Sequence, residues 1–166
     1  MIYLICLQDE EKCFIPINSK SYLTTNFFHF FLTLTKNKNV LFSYSFFKLI
    51  NHTFPNRNNI IFFNKFKKQK IPSIPNGILT SNINDIITYC HNKQQDIYIF
   101  VSNQNFCNLF APYDDYLIIY ETADEKNIKY LTPSIDIIKF NEYNFLTKTI
   151  DKNATIYYFA KNDHIY

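Results

Sequence analysis

Gly77 is the only glycine among 166 residues, and that scarcity restricts the available sites before anything else is read. Loops that cradle phosphate use glycine so that the backbone can approach the ligand or take a positive φ. The chain therefore has no P-loop and no G-x-G-x-x-G fingerprint. Its length suits a single domain over 1–166, long enough to bury about two-thirds of its unfolded surface without a metal or disulfide. Hydrophobic residues make up 47 %, which argues against disorder. No apolar run approaches the roughly 18 residues that span a bilayer. The opening MIYLICLQDEEK lacks a positive n-region and reads as a buried first strand rather than a signal peptide.

Cys6, Cys13, Cys90 and Cys107 form no C-x-x-C pair and stand at no zinc spacing with His29, His52, His91 or His164. They read as small buried hydrophobes in a reducing, cytoplasmic setting, with no metal expected. Ile, Asn, Lys, Phe and Tyr dominate, against one Arg, one Gly and no Trp. These favoured residues have AT-rich codons, so the composition points to an AT-biased genome.

Charge is distributed unevenly. From Lys12 to Asn84 there is no Asp or Glu, while nine lysines and Arg57 give that segment a net charge of +10. The first eleven residues carry −3 and the stretch from Asp85 onward −4, which returns the overall +3. Such asymmetry points to an anionic partner. The densest part is Lys65-Phe66-Lys67-Lys68-Gln69-Lys70. Lysines pair with phosphates and exposed aromatics stack on bases, so this run is a candidate RNA-binding patch. The competing reading is a solvated, lysine-rich loop.

Apolar patterning predicts alternating strands and helices. Strands are expected at Ile2–Leu7, Val40–Phe42, Asn59–Phe63, Ile78–Thr80, Ile97–Val101 and Tyr116–Glu121. Helices are expected from a cap at Thr24 or Thr25 to about Thr35, and over Ser43–Ile50, Asn84–His91 and Asn103–Phe110. The end, Ile137–Phe145 with Ala154–Ala160, reads as an antiparallel pair. The result is an α/β domain with a mostly parallel sheet and an antiparallel edge.

This order carries a resemblance. Asn37-Lys38-Asn39-Val40-Leu41-Phe42, then Phe47-Lys48-Leu49-Ile50, then Pro55-Asn56-Arg57-Asn58-Asn59-Ile60-Ile61 resemble the strand–helix–turn–strand segment of dihydrofolate reductases, including a P-x-R-x-N-I-I signature. Asp96–Val101, Phe106 and Leu109-Phe110 are similar to the family's later strand and helix, and Ala111-Pro112 to Ala123 to the strand that follows. The resemblance implies a three-layer α/β fold, with a mixed, mostly parallel sheet, flanking helices and a C-terminal antiparallel hairpin.

The family's functional positions are changed. Asn26 stands where the family places the carboxylate that supports proton delivery to the pterin, and an amide gives no proton at neutral pH. Ser102-Asn103 replaces the glycine pair near the cofactor pyrophosphate. Ser43-Tyr44-Ser45-Phe46 replaces the Gly-Arg-x-Thr that holds NADPH phosphates, and neither aromatic ring substitutes for a guanidinium. The loop tryptophan is absent, with Ser21 near its place. Arg57 remains at the position that binds the folate glutamate carboxylate. It reads either as a retained anion clamp or as a support for its turn. Phe27, Phe28, Phe31 and Phe46 are expected to fill part of the pterin pocket.

These losses predict a pseudoenzyme with no cofactor, repurposed as a binding factor for RNA or a ribonucleoprotein assembly such as the ribosome. Two other readings stay open. One is a divergent reductase using NADPH, with Asp9, Glu10, Glu11 or a bound water delivering the proton. The other is a purely protein-binding scaffold.

Overall fold

The computed structural model describes residues 1–65, 70, 73–122 and 142–162. Among the described residues eight strands and four α-helices follow in order: β1 (Ile2–Asp9), α1 (Asn26–Leu34), β2 (Asn39–Ser43), α2 (Tyr44–Ile50), β3 (Asn58–Phe62), β4 (Gly77–Thr80), α3 (Ile83–Lys93), β5 (Ile97–Phe100), α4 (Gln104–Phe110), β6 (Tyr116–Thr122), β7 (Tyr143–Asp151) and β8 (Ala154–Lys161). Strand pairing is mixed and mostly parallel, with an antiparallel hairpin at the C-terminal end. Two compact units divide the chain: Met1 with Asn18–Phe100, and Ile2–Ile17 with Val101–Tyr166.

The first unit orders its strands β4-β3-β2-β5. Each neighbouring pair is parallel, with Leu41 opposite both Ile60 and Ile99. β2 and β5 are buried along their whole length, which is how parallel strands covered on both faces read in sequence. Polar side chains tie this layer together at one end. Buried Asn39 donates through Nδ2 to the Asp96 carbonyl at 2.9 Å and accepts from Asn58 Nδ2 at 2.9 Å. Asn59, also buried, accepts from the Phe54 amide at 2.8 Å and donates to the Phe54 and Arg57 carbonyls. That single side chain closes the turn at Phe54–Arg57, satisfying backbone groups that would otherwise be buried unpaired.

The second unit orders its strands β1-β6-β8-β7. β1 and β6 run parallel with Ile5 opposite Ile118, and β8 pairs antiparallel with both β6 and β7. Asp114 and Tyr143 are buried here, with Lys161 beside them.

The terminal pair differs from the sequence expectation. It is antiparallel, but its first strand is Tyr143–Asp151 rather than Ile137–Phe145, of which 137–141 lies outside the described residues. The strand was illegible because it is exposed from Asn144 to Ile150, so no alternation of apolar and polar residues marks it. Lys152, at φ 54°, turns the chain into β8.

Cys6, Cys90 and Cys107 are buried and Cys13 is half-buried, all four as free thiols. Among the described residues, no group of His, Cys, Asp or Glu is placed to hold a metal ion, and no helix is long and apolar enough to cross a membrane.

Candidate functional site

The sequence positions divide between the two units. Asn26, Ser43, Tyr44 and Arg57 belong to the first, Ser102 and Asn103 to the second. Thr25 caps α1, its Oγ1 accepting from the Phe28 amide at 3.3 Å, so Asn26 is the first helical residue and half-buried. The only carboxylates of the first unit are Asp85 and Asp96. Asp96 pairs with the terminal amine at 3.2 Å and Asp85 accepts from Asn82 Nδ2 at 3.2 Å. Neither is on α1.

Two faces of the first unit meet in a cluster of phenylalanine rings. Phe27, Phe28 and Phe31 of α1, Phe42 of β2, Phe46 of α2, Phe54 and Phe100 are each at most 7 % exposed. Phe100 is the hub, with ring centroids 4.7 Å from Phe31, 4.6 Å from Phe46 and 5.7 Å from Phe27. Phe54 closes the other side, 5.8 Å from Phe28, 5.8 Å from Phe31 and 5.1 Å from Phe42. Most of these pairs are tilted or edge-to-face, the arrangement that ring quadrupoles favour. The sequence singled out Phe27, Phe28, Phe31 and Phe46. Phe42, Phe54 and Phe100 come from separate segments, and no local pattern links them.

The positions expected to face NADPH are occupied by capping and packing. Ser43 Oγ accepts from the Phe46 amide at 3.1 Å, so this hydroxyl caps α2. Tyr44 is 8 % exposed and stacks on Phe47, with Lys48 Nζ 5.3 Å from its ring. In the second unit Asn103 Oδ1 accepts from the Phe106 amide at 2.8 Å and caps α4. Ser102 is buried, and its carbonyl accepts from the Ile17 amide at 2.8 Å. A buried phenylalanine and a capping asparagine offer nothing that binds a pyrophosphate as glycines and an arginine do. The residues present do not fit the cofactor.

Arg57 is half-buried and grips the end of α1. Nε donates to Thr35 Oγ1 at 3.0 Å, one terminal nitrogen to the Pro55 carbonyl at 2.6 Å and the other to the Leu32 carbonyl. Desolvation lowers its pKa from the ordinary arginine value, though a guanidinium stays charged across the range proteins tolerate. Arg57 also lines an open cavity of about 520 Å³ with Asn37, Thr53, Asn56, Asn58 and Asn76. Asn37, Asn56 and Asn76 all hold left-handed backbone, at φ 60°, 57° and 60°. Sequence reasoning picked out Arg57 but not this cavity, whose walls come from three separated turns.

Of the lysine run, Lys65 and Lys70 are exposed, and Phe66, Lys67 and Lys68 lie outside the described residues.

No protein-family model and no curated protein matches the chain. Among solved structures 275 chains match, including a dihydrofolate reductase from Enterococcus faecalis complexed with NADP(H) and RAB-propyl. That likeness has a TM-score of 0.74 and covers 98 % of this chain and 97 % of that one. The chain has the dihydrofolate reductase fold. At 15 % identity the likeness speaks of architecture alone, since function lives in the site rather than the scaffold. Within the dihydrofolate reductase fold, this chain puts an asparagine at the head of α1 and gathers phenylalanines of α1 and α2 around Phe100 of β5.

Proposed function

We propose that this protein is a dihydrofolate reductase fold without reductase activity, acting in the cytoplasm as a binding factor for RNA or a ribonucleoprotein assembly, with the ribosome the first candidate. The observation that carries the loss of activity is Asn26 at the head of α1, an amide where proton delivery needs an acid. General-acid work needs a titratable group within hydrogen-bond reach of the substrate. No carboxylate lies between Glu11 and Asp85 in the sequence, so no small shift in alignment supplies one. The same acid-free stretch supports a polyanionic partner, since its net charge of +10 has few internal counter-charges.

The test is turnover. The purified protein is expected to show no NADPH-dependent reduction of dihydrofolate and no thermal shift with saturating NADPH. Asn26→Asp alone is expected to leave it inactive, because the cofactor positions are also changed. Measurable turnover by the unaltered protein refutes the reading.

A further inference from the structure

The cavity around Arg57 has more hydrogen-bonding capacity than the fold uses. A guanidinium carries five N–H donors, and three go to Thr35, Pro55 and Leu32. One N–H remains on each terminal nitrogen, and charged donors of this kind are what arginine offers to the oxygens of a phosphate or carboxylate. Asn37, Asn56 and Asn76 line the same cavity, and their carboxamides make no side-chain hydrogen bond to a described residue. Left-handed backbone turns all three into exposed corners. Asn58 and Asn59 line the cavity too, but their amides hold Asn39 and the Phe54–Arg57 turn.

Charge and size narrow the ligand. Every wall residue belongs to the stretch without Asp or Glu, and exposed Lys36 and Lys38 flank Asn37. The ligand is therefore anionic. A bare carboxylate or phosphate would use Arg57 and leave three carboxamides unmatched, each offering both donors and an acceptor. Base edges and sugar hydroxyls present that mixed pattern, as when asparagine pairs with adenine. A volume of about 520 Å³ falls within the range of small-ligand pockets, roughly 300–1,000 Å³.

We propose that this cavity binds one nucleotide unit, its phosphate on Arg57 and its base and sugar against the carboxamides of Asn37, Asn56 and Asn76. The inference rests on the RNA reading only for the source of that nucleotide, which is either a free monophosphate or a residue of an RNA strand.

Calorimetric titration of the full chain tests it, with adenosine monophosphate, adenosine, inorganic phosphate, L-glutamate and a 5′-phosphorylated oligoadenylate as probes. Adenosine monophosphate is expected to bind at least about tenfold more tightly than adenosine, phosphate or L-glutamate. Arg57→Gln would also strip three bonds from the end of α1, so the deciding variants are Asn56→Asp and Asn76→Asp. Aspartate tolerates the left-handed backbone but sets a negative charge against the phosphate. Each is expected to weaken the monophosphate by about tenfold or more while the melting temperature stays unchanged. Equal affinity for adenosine and its monophosphate overturns the proposal, as does tighter binding of L-glutamate or indifference to both aspartates. If the oligonucleotide competes with the monophosphate, the strand is the source. If the monophosphate binds and RNA does not, the cavity stands and the RNA reading falls. If RNA binds and the monophosphate does not, the RNA reading stands and the cavity proposal falls.

Discussion

Lys12, Asn37, Asn51, Asn56, Asn76, Gln94 and Lys152 hold left-handed backbone, and Gly77 does not. An L-residue gives up roughly 1–2 kcal/mol in that region, with asparagine the most tolerant because its short side chain bonds locally. A chain with one glycine has thus passed its turn corners largely to asparagine. Gln94 lacks that compensation, yet it caps α3, its N–H donating to the Cys90 and His91 carbonyls. Gln94→Gly is expected to raise stability by about 0.5–1 kcal/mol, read as a higher denaturant midpoint at unchanged slope. A second expectation concerns Asp114, 2 % exposed, which accepts from Tyr143 Oη at 2.8 Å and Lys161 Nζ at 3.0 Å. Desolvation raises its carboxyl pKa, and the bonds from Lys161 and Tyr143 pull it back. A folded pKa above the unfolded one means its contribution is fullest below the unfolded value, about 3.9, and declines as pH rises through the folded value. Replacing the carboxyl tests the same balance. Asp114→Asn removes the charge that burial disfavours and leaves Lys161 its bond to the Ala111 carbonyl at 2.6 Å, so it should cost no more than about 1 kcal/mol, and adding Lys161→Met, which removes the pair whole, should cost little further. Unfolding curves of the single and double variants decide this.

At the scale of elements, the first six strands and all four helices were legible, because continuous apolar runs and capping residues mark them. Thr25, Ser43 and Asn103 each cap the helix that follows, a local signal that sequence displays directly. β7 was misplaced because it is exposed along most of its length, and without a buried face there is no periodicity to read. The site was legible only in part. Asn26 and Arg57 stood out by type, but Asn59 as the staple of the Phe54–Arg57 turn and Phe100 as the hub of the aromatic cluster are tertiary facts. The hub gives the element-scale prediction. Phe100→Ala opens the centre of the cluster and should cost about 3–5 kcal/mol. Exposed Leu109→Ala, on α4, should cost far less. Comparable losses at the two sites, measured by chemical denaturation, would show that the cluster is not the core of its unit.

On the scale of the whole molecule the controlling quantity is the segregation of charge. Acids sit in the first eleven residues and from Asp85 onward, leaving the intervening stretch at +10. The lysines at 65, 67, 68 and 70 are its densest part. Replacing all four by glutamine should leave folding intact, since Lys65 and Lys70 are exposed and exposed charges add little to stability. It should weaken RNA binding and flatten the dependence of log affinity on log salt by about 0.7 for each single-strand phosphate no longer neutralised. Filter binding across a salt series measures both, and an unchanged slope would assign the lysines to solvation.

The single glycine has one more consequence, and it concerns time. Gly77 follows exposed Asn76, and its amide donates to the Ile74 carbonyl at 3.3 Å. Without a side chain to obstruct it, that amide nitrogen can attack the neighbouring carboxamide carbon. Ammonia leaves, a succinimide closes, and water opens it to aspartate or isoaspartate. The product places a carboxylate on the wall of the cavity that Arg57 lines, in a stretch otherwise free of acids. Ageing of this chain would therefore be written first at the cavity, as a slow and spontaneous conversion toward a form with an acid facing its only arginine.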